Sequence, residues 1–177
     1  MKKLSMDELG RKTPDQFRQS EKFPLVIVLD NVRSMMNTGS VFRTADAFLL
    51  EGIMLCGITA TPPHREIHKT ALGATESVAW QYFENTTDAV RQLTAQGYTV
   101  LALEQTSGSH NLASFKPQTG ARYALVFGNE VHGVEQKVLE LCHGCLEIPQ
   151  FGTKHSLNIS VTAGIVIWDF FLKQQLQ

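Results

Sequence analysis

The sequence predicts a doubly wound α/β fold with a mainly parallel sheet. Short apolar runs recur from Leu25 onward, they are continuous and not alternating, and segments of helical length separate them. Strands apolar on both faces belong in parallel sheets that helices cover on both sides. Sheets of this kind receive ligands outside the carboxyl ends of their strands, so the loops after those ends are where chemistry is expected.

The elements follow in order. Residues 1–22 form an arm of short helices with two capping-box starts, Ser5 with Glu8 and Thr13 with Gln16, the second carrying Pro14 at its first helical position. Lys2, Lys3, Arg11, Lys12, Arg18 and Lys22 outnumber Asp7, Glu8, Asp15 and Glu21, a mild basic bias. Residues 23–177 form the main domain. Leu25–Leu29 reads as a strand, Thr38–Leu50 as a helix, Ile53–Cys56 as a strand and His64–Leu72 as a helix after Pro62-Pro63. Trp80–Phe83 is a strand, Thr86–Gln96 a helix closed by Gly97, and Tyr98–Leu103 and Tyr123–Phe127 are strands. Glu135–Cys142 reads as a helix and Cys145–Ile148 as the last strand. The irregular connection Glu104–Gly120 is long enough to suggest a binding loop, above all at its start.

From Leu157 to Phe171 the chain is so rich in aliphatic and aromatic residues that a helix there needs burial on nearly all sides, which points to a partner subunit. Asn158, Ser160, Thr162 and Asp169 interrupt this run, which is shorter than the roughly 20 apolar residues of a membrane span. The chain has 177 residues, the size of one domain, and 16 Lys+Arg against 17 Asp+Glu, so an anionic partner needs a local basic patch. Three cysteines, Cys56, Cys142 and Cys145, cannot all pair, and no targeting segment is recognised at the start, so a cytoplasmic location is expected. Cys142-His-Gly-Cys145 has redox spacing, but it sits at a helix end that enters a strand, whereas a reactive pair needs a helix N-terminus.

Three loops carry the candidate chemistry. After the first strand, Thr38, Gly39 and Ser40 suggest an open helix N-terminus for a phosphate, with Arg43 within the first turns. Neither a P-loop nor a Gly-x-Gly-x-x-Gly motif is present. After Phe127 come Gly128, Asn129, Glu130, His132 and Gly133, where Glu130 is either a ligand-edge carboxylate or a helix cap. After Ile148, Gly152, Ser156 and Asn158 lie between buried elements, with Ser156 placed to cap the helix from Leu157. His64 and His68 share a helix face without the glutamate of a zinc motif, so no metal is expected.

Asn37-x-Gly39-x-x-x-Arg43-Thr-Ala, Phe127-Gly128-Asn129-Glu130-x-x-Gly133 and Ile148-Pro149-x-x-Gly152-x-x-x-Ser156-Leu157-Asn158-Ile159-Ser160 resemble, in order and spacing, the three motifs of the SpoU (TrmH-like) RNA 2′-O-ribose methyltransferases of the SPOUT superfamily. The similarity runs over about residues 24–172. It implies a C-terminal trefoil knot, a homodimer whose active site takes residues from both subunits, and S-adenosylmethionine as methyl donor. It also implies catalytic roles for Arg43, Asn37, Glu130, Ser156 and Asn158, and donor contacts at Leu103, Gly128, Ile148, Gln150 and Leu157. RNA is the implied partner, tRNA ahead of rRNA by family analogy. Charge and loop position nominate Arg11, Lys12, Arg33, His64, Arg65 and Lys69 to hold it. An arginine is always protonated, so the expected role of Arg43 is to stabilise the developing alkoxide and clamp a phosphate. The rival readings are a SPOUT base methyltransferase and an RNA-binding module without catalysis.

Overall fold

The apolar runs become the strands of one sheet in the computed structural model, which describes residues 1–5 and 8–175. The strands are β1 (Phe23–Asp30), β2 (Leu50–Cys56), β3 (Trp80–Phe83), β4 (Thr99–Leu103), β5 (His110–Asn111), β6 (Tyr123–Phe127) and β7 (Gly144–Glu147). They lie in the order β3-β2-β1-β6-β4-β7-β5, and each pairing is parallel. The helices are α1 (Pro14–Gln19), α2 (Met35–Ala47), α3 (Arg65–Ala71), α4 (Ala74–Ser77), α5 (Thr86–Ala95), α6 (Gln136–Leu139) and α7 (Ile159–Gln175).

Successive residues of β1 enter different cores, which is why the strand is apolar throughout. Leu25, Ile27 and Leu29 pack with Phe42, Ile167 and Phe170 on one face. Val26 and Val28 pack with Val90, Leu93 and Val138 on the other. Phe170 also meets the rings of Phe115 and Tyr123, tying α7 to the sheet near β6.

Several expected boundaries shift, each for a local reason. Helix α2 starts at Met35, not Thr38, because Ser34 caps it by accepting from the Asn37 N–H. It ends at Ala47, and Leu49 turns the chain with φ 53° so that β2 begins at Leu50. Thr38 and Gly39 therefore lie buried inside the helix and cannot leave its N-terminus open. A Cβ on Gly39 would stand 2.2 Å from both the Ile67 carbonyl oxygen and Thr70 Oγ1, so this glycine lets α2 and α3 touch. Helix α6 is shorter than the expected Glu135–Cys142, since Leu141 and Cys142 donate three residues back in tightened turns. The short edge strand β5 lies within the long connection, and α4 was not expected from the sequence.

In the arm, Thr13 and Gln16 form the complete capping box of α1. The helix start expected at Ser5 falls partly on residues 6 and 7, outside the described residues. What is described there is a turn with reciprocal Ser5–Glu8 hydrogen bonds. Helix α7 begins at Ile159 and buries one side only: Ala163, Val166, Ile167 and Phe170 face the core, while Val161, Ile165 and Trp168 are exposed, Trp168 by 48%. Among the described residues no helix is long and apolar enough to cross a membrane.

Gly39→Ala tests the α2–α3 contact: overpacking against backbone should destabilise the protein by about 1–3 kcal/mol, read as a lower urea midpoint.

Candidate functional site

The loops after β1, β6 and β7 meet through one carboxylate. Glu130 accepts from the backbone N–H groups of Arg33 (2.9 Å) and Ser34 (3.0 Å) and from Asn37 Nδ2 (3.1 Å). Asn158 Nδ2 in turn donates to Asn37 Oδ1 at 3.3 Å. The phosphate expected at the N-terminus of α2 thus finds its place filled by the protein's own anion, which bonds the N–H of the capping Ser34 and of Arg33 before it and faces the positive end of the helix dipole. Partial burial pushes the Glu130 carboxyl up, but the N–H groups of Arg33 and Ser34, with Asn37, outweigh it and hold the group below the ordinary carboxylate range.

Asn158, not Ser156, caps α7: its Oδ1 accepts from the Ser160 N–H at 2.8 Å. Ser156 stands exposed two residues earlier. The β6 turn is folded on itself, with Asn129 and Gly133 exchanging both backbone hydrogen bonds at 2.9 Å. A Cβ on Gly128 would meet the Gly133 carbonyl carbon at 2.1 Å, so this glycine serves the turn's own close approach as well as lining the cleft. His132 sits exposed in the same turn.

These loops border a cleft of about 700 Å³ at the carboxyl edge of β4, β6 and β7. Leu103, Gly128, Ile148, Gln150 and Leu157, the five residues expected to contact a donor, all line it, together with Glu130, Ser156 and Asn158. Its size suits a small organic ligand, and its apolar walls Phe127, Leu146 and Ile159 alternate with polar groups.

Arg43 is not brought to this cleft within one chain. It is exposed on α2 and lines a second cleft of about 620 Å³ with Arg11 and Lys12 of the arm. Among the described residues it makes no ion pair. The other nominated RNA contacts divide. Arg33 is exposed beside Glu130, His64 caps α3 by accepting from the Glu66 N–H, Arg65 is exposed, and Lys69 pairs with Glu66 at 2.7 Å.

Of the residues that brace the site, the sequence motifs include Asn129 but assign no role to Asp30 or Glu104. Buried Asp30 accepts from the Glu135 N–H and from Thr86 Oγ1, and Asn129 Nδ2 donates to the Asn31 carbonyl at 2.7 Å. Glu104 accepts from the Val134 N–H at 3.0 Å, joining the loops after β4 and β6. Their signal was position alone: a polar residue at the carboxyl end of an apolar strand. The cysteines are free, and burial pushes the thiols of Cys56 and Cys142 up to about 12, so neither offers a thiolate.

Fold and cleft together define an all-parallel α/β protein with a ligand cleft at the carboxyl edge of its sheet. The chain belongs to the SpoU rRNA Methylase family, whose model matches residues 24–168. A Neisseria meningitidis serogroup B protein named 23S rRNA (guanosine-2′-O-)-methyltransferase RlmB is 30% identical, over 81% of this chain and 56% of its own length. The chain spans less than two thirds of the length of curated relatives it matches, 65% of a Staphylococcus haemolyticus protein named Putative TrmH family tRNA/rRNA methyltransferase and 56% of the Neisseria protein. Among solved structures, the AdoMet-bound rRNA methyltransferase from Sinorhizobium meliloti superposes with a TM-score of 0.78 at 28% identity, covering 90% of this chain and 60% of that one. The A. aeolicus TrmH/SpoU tRNA modifying enzyme shares the fold with a TM-score of 0.79 at 22% identity, covering 90% and 79%.

Because the folded protein holds Glu130 ionised more readily than the unfolded chain does, its contribution is present above the unfolded carboxyl value of about 4.3 and fades as pH falls through the lower folded value. Glu130→Gln should therefore shrink the stability difference between about pH 7 and pH 3, below the unfolded carboxyl value, measured by urea unfolding at both. An unchanged difference would remove Glu130 as the source.

Proposed function

We propose that this chain is an S-adenosylmethionine-dependent RNA methyltransferase that modifies a ribose 2′-hydroxyl of structured RNA. The observation that carries the reading is the Glu130–Asn37–Asn158 chain of hydrogen bonds, which joins all three family motifs at the rim of one cleft. Family membership, the 2′-O-methyltransferase name of the Neisseria relative and the AdoMet bound to the Sinorhizobium enzyme all support it. The relatives' names include both rRNA and tRNA. tRNA is the expected substrate by family analogy alone.

The residues present suit the donor. Leu103, Ile148 and Leu157 offer apolar wall, and Gly128 and Gln150 offer backbone and amide groups to its polar ends. The bound donor would supply an electrophilic methyl carbon. Asn37 and Asn158, held by Glu130 and by each other, shape the rim where a ribose would lie. Arg43 is assigned to stabilise the developing alkoxide and clamp the adjacent phosphate, with the proton leaving to phosphate or water.

A second copy completes this site. The exposed Val161, Ile165 and Trp168 of α7 give it an apolar face to cover, and Arg43, lining another cleft in its own chain, would act in the partner's site. The C-terminal trefoil knot and a cytoplasmic location belong to the same proposal. For the knot, the last turn of α7 is lashed to the long connection by Lys173 on the Leu112 carbonyl (2.6 Å) and Gln174 on the Gln118 carbonyl (3.3 Å).

Incubation with methyl-labelled donor and total RNA, then alkaline hydrolysis, should leave label in alkali-resistant dinucleotides from the tRNA fraction, since a 2′-O-methyl group blocks cleavage. Label on a base would mark a base methyltransferase; RNA bound but unlabelled would mark a binding module. Arg43→Lys keeps the charge and loses the fork, and should lower turnover by roughly 10²–10³-fold. Near-normal turnover with unchanged RNA affinity would defeat the bidentate role. Trp168→Glu should convert a dimer to a monomer in light scattering; an unchanged mass would place the interface elsewhere.

A further inference from the structure

Three carboxylates, Glu104, Glu130 and Glu147, line the cleft, and no lysine or arginine does so among the described residues. Glu130 commits both oxygens to the Arg33 and Ser34 N–H groups and Asn37. Glu104 lies outside all three family motifs and is held differently. Its Oε1 accepts from the Gln105 N–H and its Oε2 from the Val134 N–H, each at 3.0 Å. A carboxylate oxygen has two acceptor sites, so each oxygen keeps a lone pair. Gly133, with φ 69°, lets the turn close on this group: a Cβ there would stand 2.2 Å from Oε2. The two backbone bonds pin the charge in the cleft wall and keep it from swinging into water. A charge fixed in this way acts on a ligand's charge without reorganisation.

We propose that Glu104 is a specificity-determining residue that makes the cleft prefer a cationic ligand to its neutral counterpart. Resting on the function proposed above, the cation is the sulfonium donor. When the S–CH₃ bond breaks, its electron pair stays on sulfur, the methyl group goes to the ribose oxygen and the ribose proton leaves. The ligand that remains is a thioether without the sulfonium charge. Glu104 therefore favours replacement of the spent ligand by a fresh one.

Calorimetric titration of the full chain with S-adenosylmethionine, its cationic amino analogue sinefungin and neutral S-adenosylhomocysteine tests this. Glu104→Gln loses the charge and one of the two acceptors, and the brace matters to all three ligands alike, so the ratio of affinities isolates the charge. In Glu104→Gln both cationic ligands should weaken by roughly fivefold relative to the neutral one. In the wild-type protein, added salt should erode the same ratio, a readout that needs no variant. If the ratio is unchanged by the substitution, or insensitive to salt, the proposal falls while the donor reading stands. A wild-type protein that binds none of the three overturns the donor reading and this proposal with it.

Discussion

The arrangement of the carboxyl edge depends on one carboxylate seated at the start of a helix. Glu130 sits at the positive end of α2, accepts the N–H groups of Arg33 and the capping Ser34 just ahead of it and, through Asn37, reaches Asn158 ahead of α7. Three segments far apart in the chain are fixed by a group that costs the fold little. The backbone donors at a helix start need partners in any case, and a charged acceptor answers them more strongly than a neutral one. The rim of the cleft is thus made from an obligation of the backbone, with side-chain amides added on top.

Beneath that rim, buried polar groups set the loops. Asp30, at the end of β1, receives the Glu135 N–H and the Thr86 hydroxyl, and Thr59 Oγ1 accepts the Val32 N–H at 2.9 Å. A half-satisfied group in this position would be costly, so such residues act as all-or-none fasteners. Arg43 belongs to a different surface. It extends from α2 toward the arm, beside Arg11 and Lys12, so one chain separates the cation from the cleft that holds the amides.

The central strands β1, β4 and β6 were legible because they are apolar on both faces, and Tyr123–Phe127 is observed at the bounds expected, whereas the polar two-residue β5 carries no such signal. Helix ends were less legible. Thr38-Gly39-Ser40 suggested an open helix start, yet Ser34 caps the helix earlier and Gly39 serves a contact with α3, 28 and more residues away in sequence. No local pattern reveals such a contact. The loops after Leu103, Phe127 and Ile148 were legible because parallel sheets put ligands there, and the resemblance supplied the individual lining residues Leu103, Gly128 and Ile148. Glu104 and Asp30 were not, since their roles rest on bonds to N–H groups contributed by loops distant in the chain. The composition of α7 asks for burial on nearly all sides with a partner's help, and within one chain it is buried on one side, because one chain has only one sheet face to give it.

The sheet order also bears on how the chain emerges during synthesis. Central strand β1 takes β2 as one neighbour soon after it is made, but its other neighbour is β6, with Leu25 opposite Tyr123. Until nearly a hundred further residues have been translated, β1 keeps a bare hydrogen-bonding edge flanked by Ile27, Val28 and Leu29. Pairings so distant in sequence form late and leave sticky edges open meanwhile. The nascent half-sheet β3-β2-β1 is therefore the species a ribosome-bound chaperone would meet.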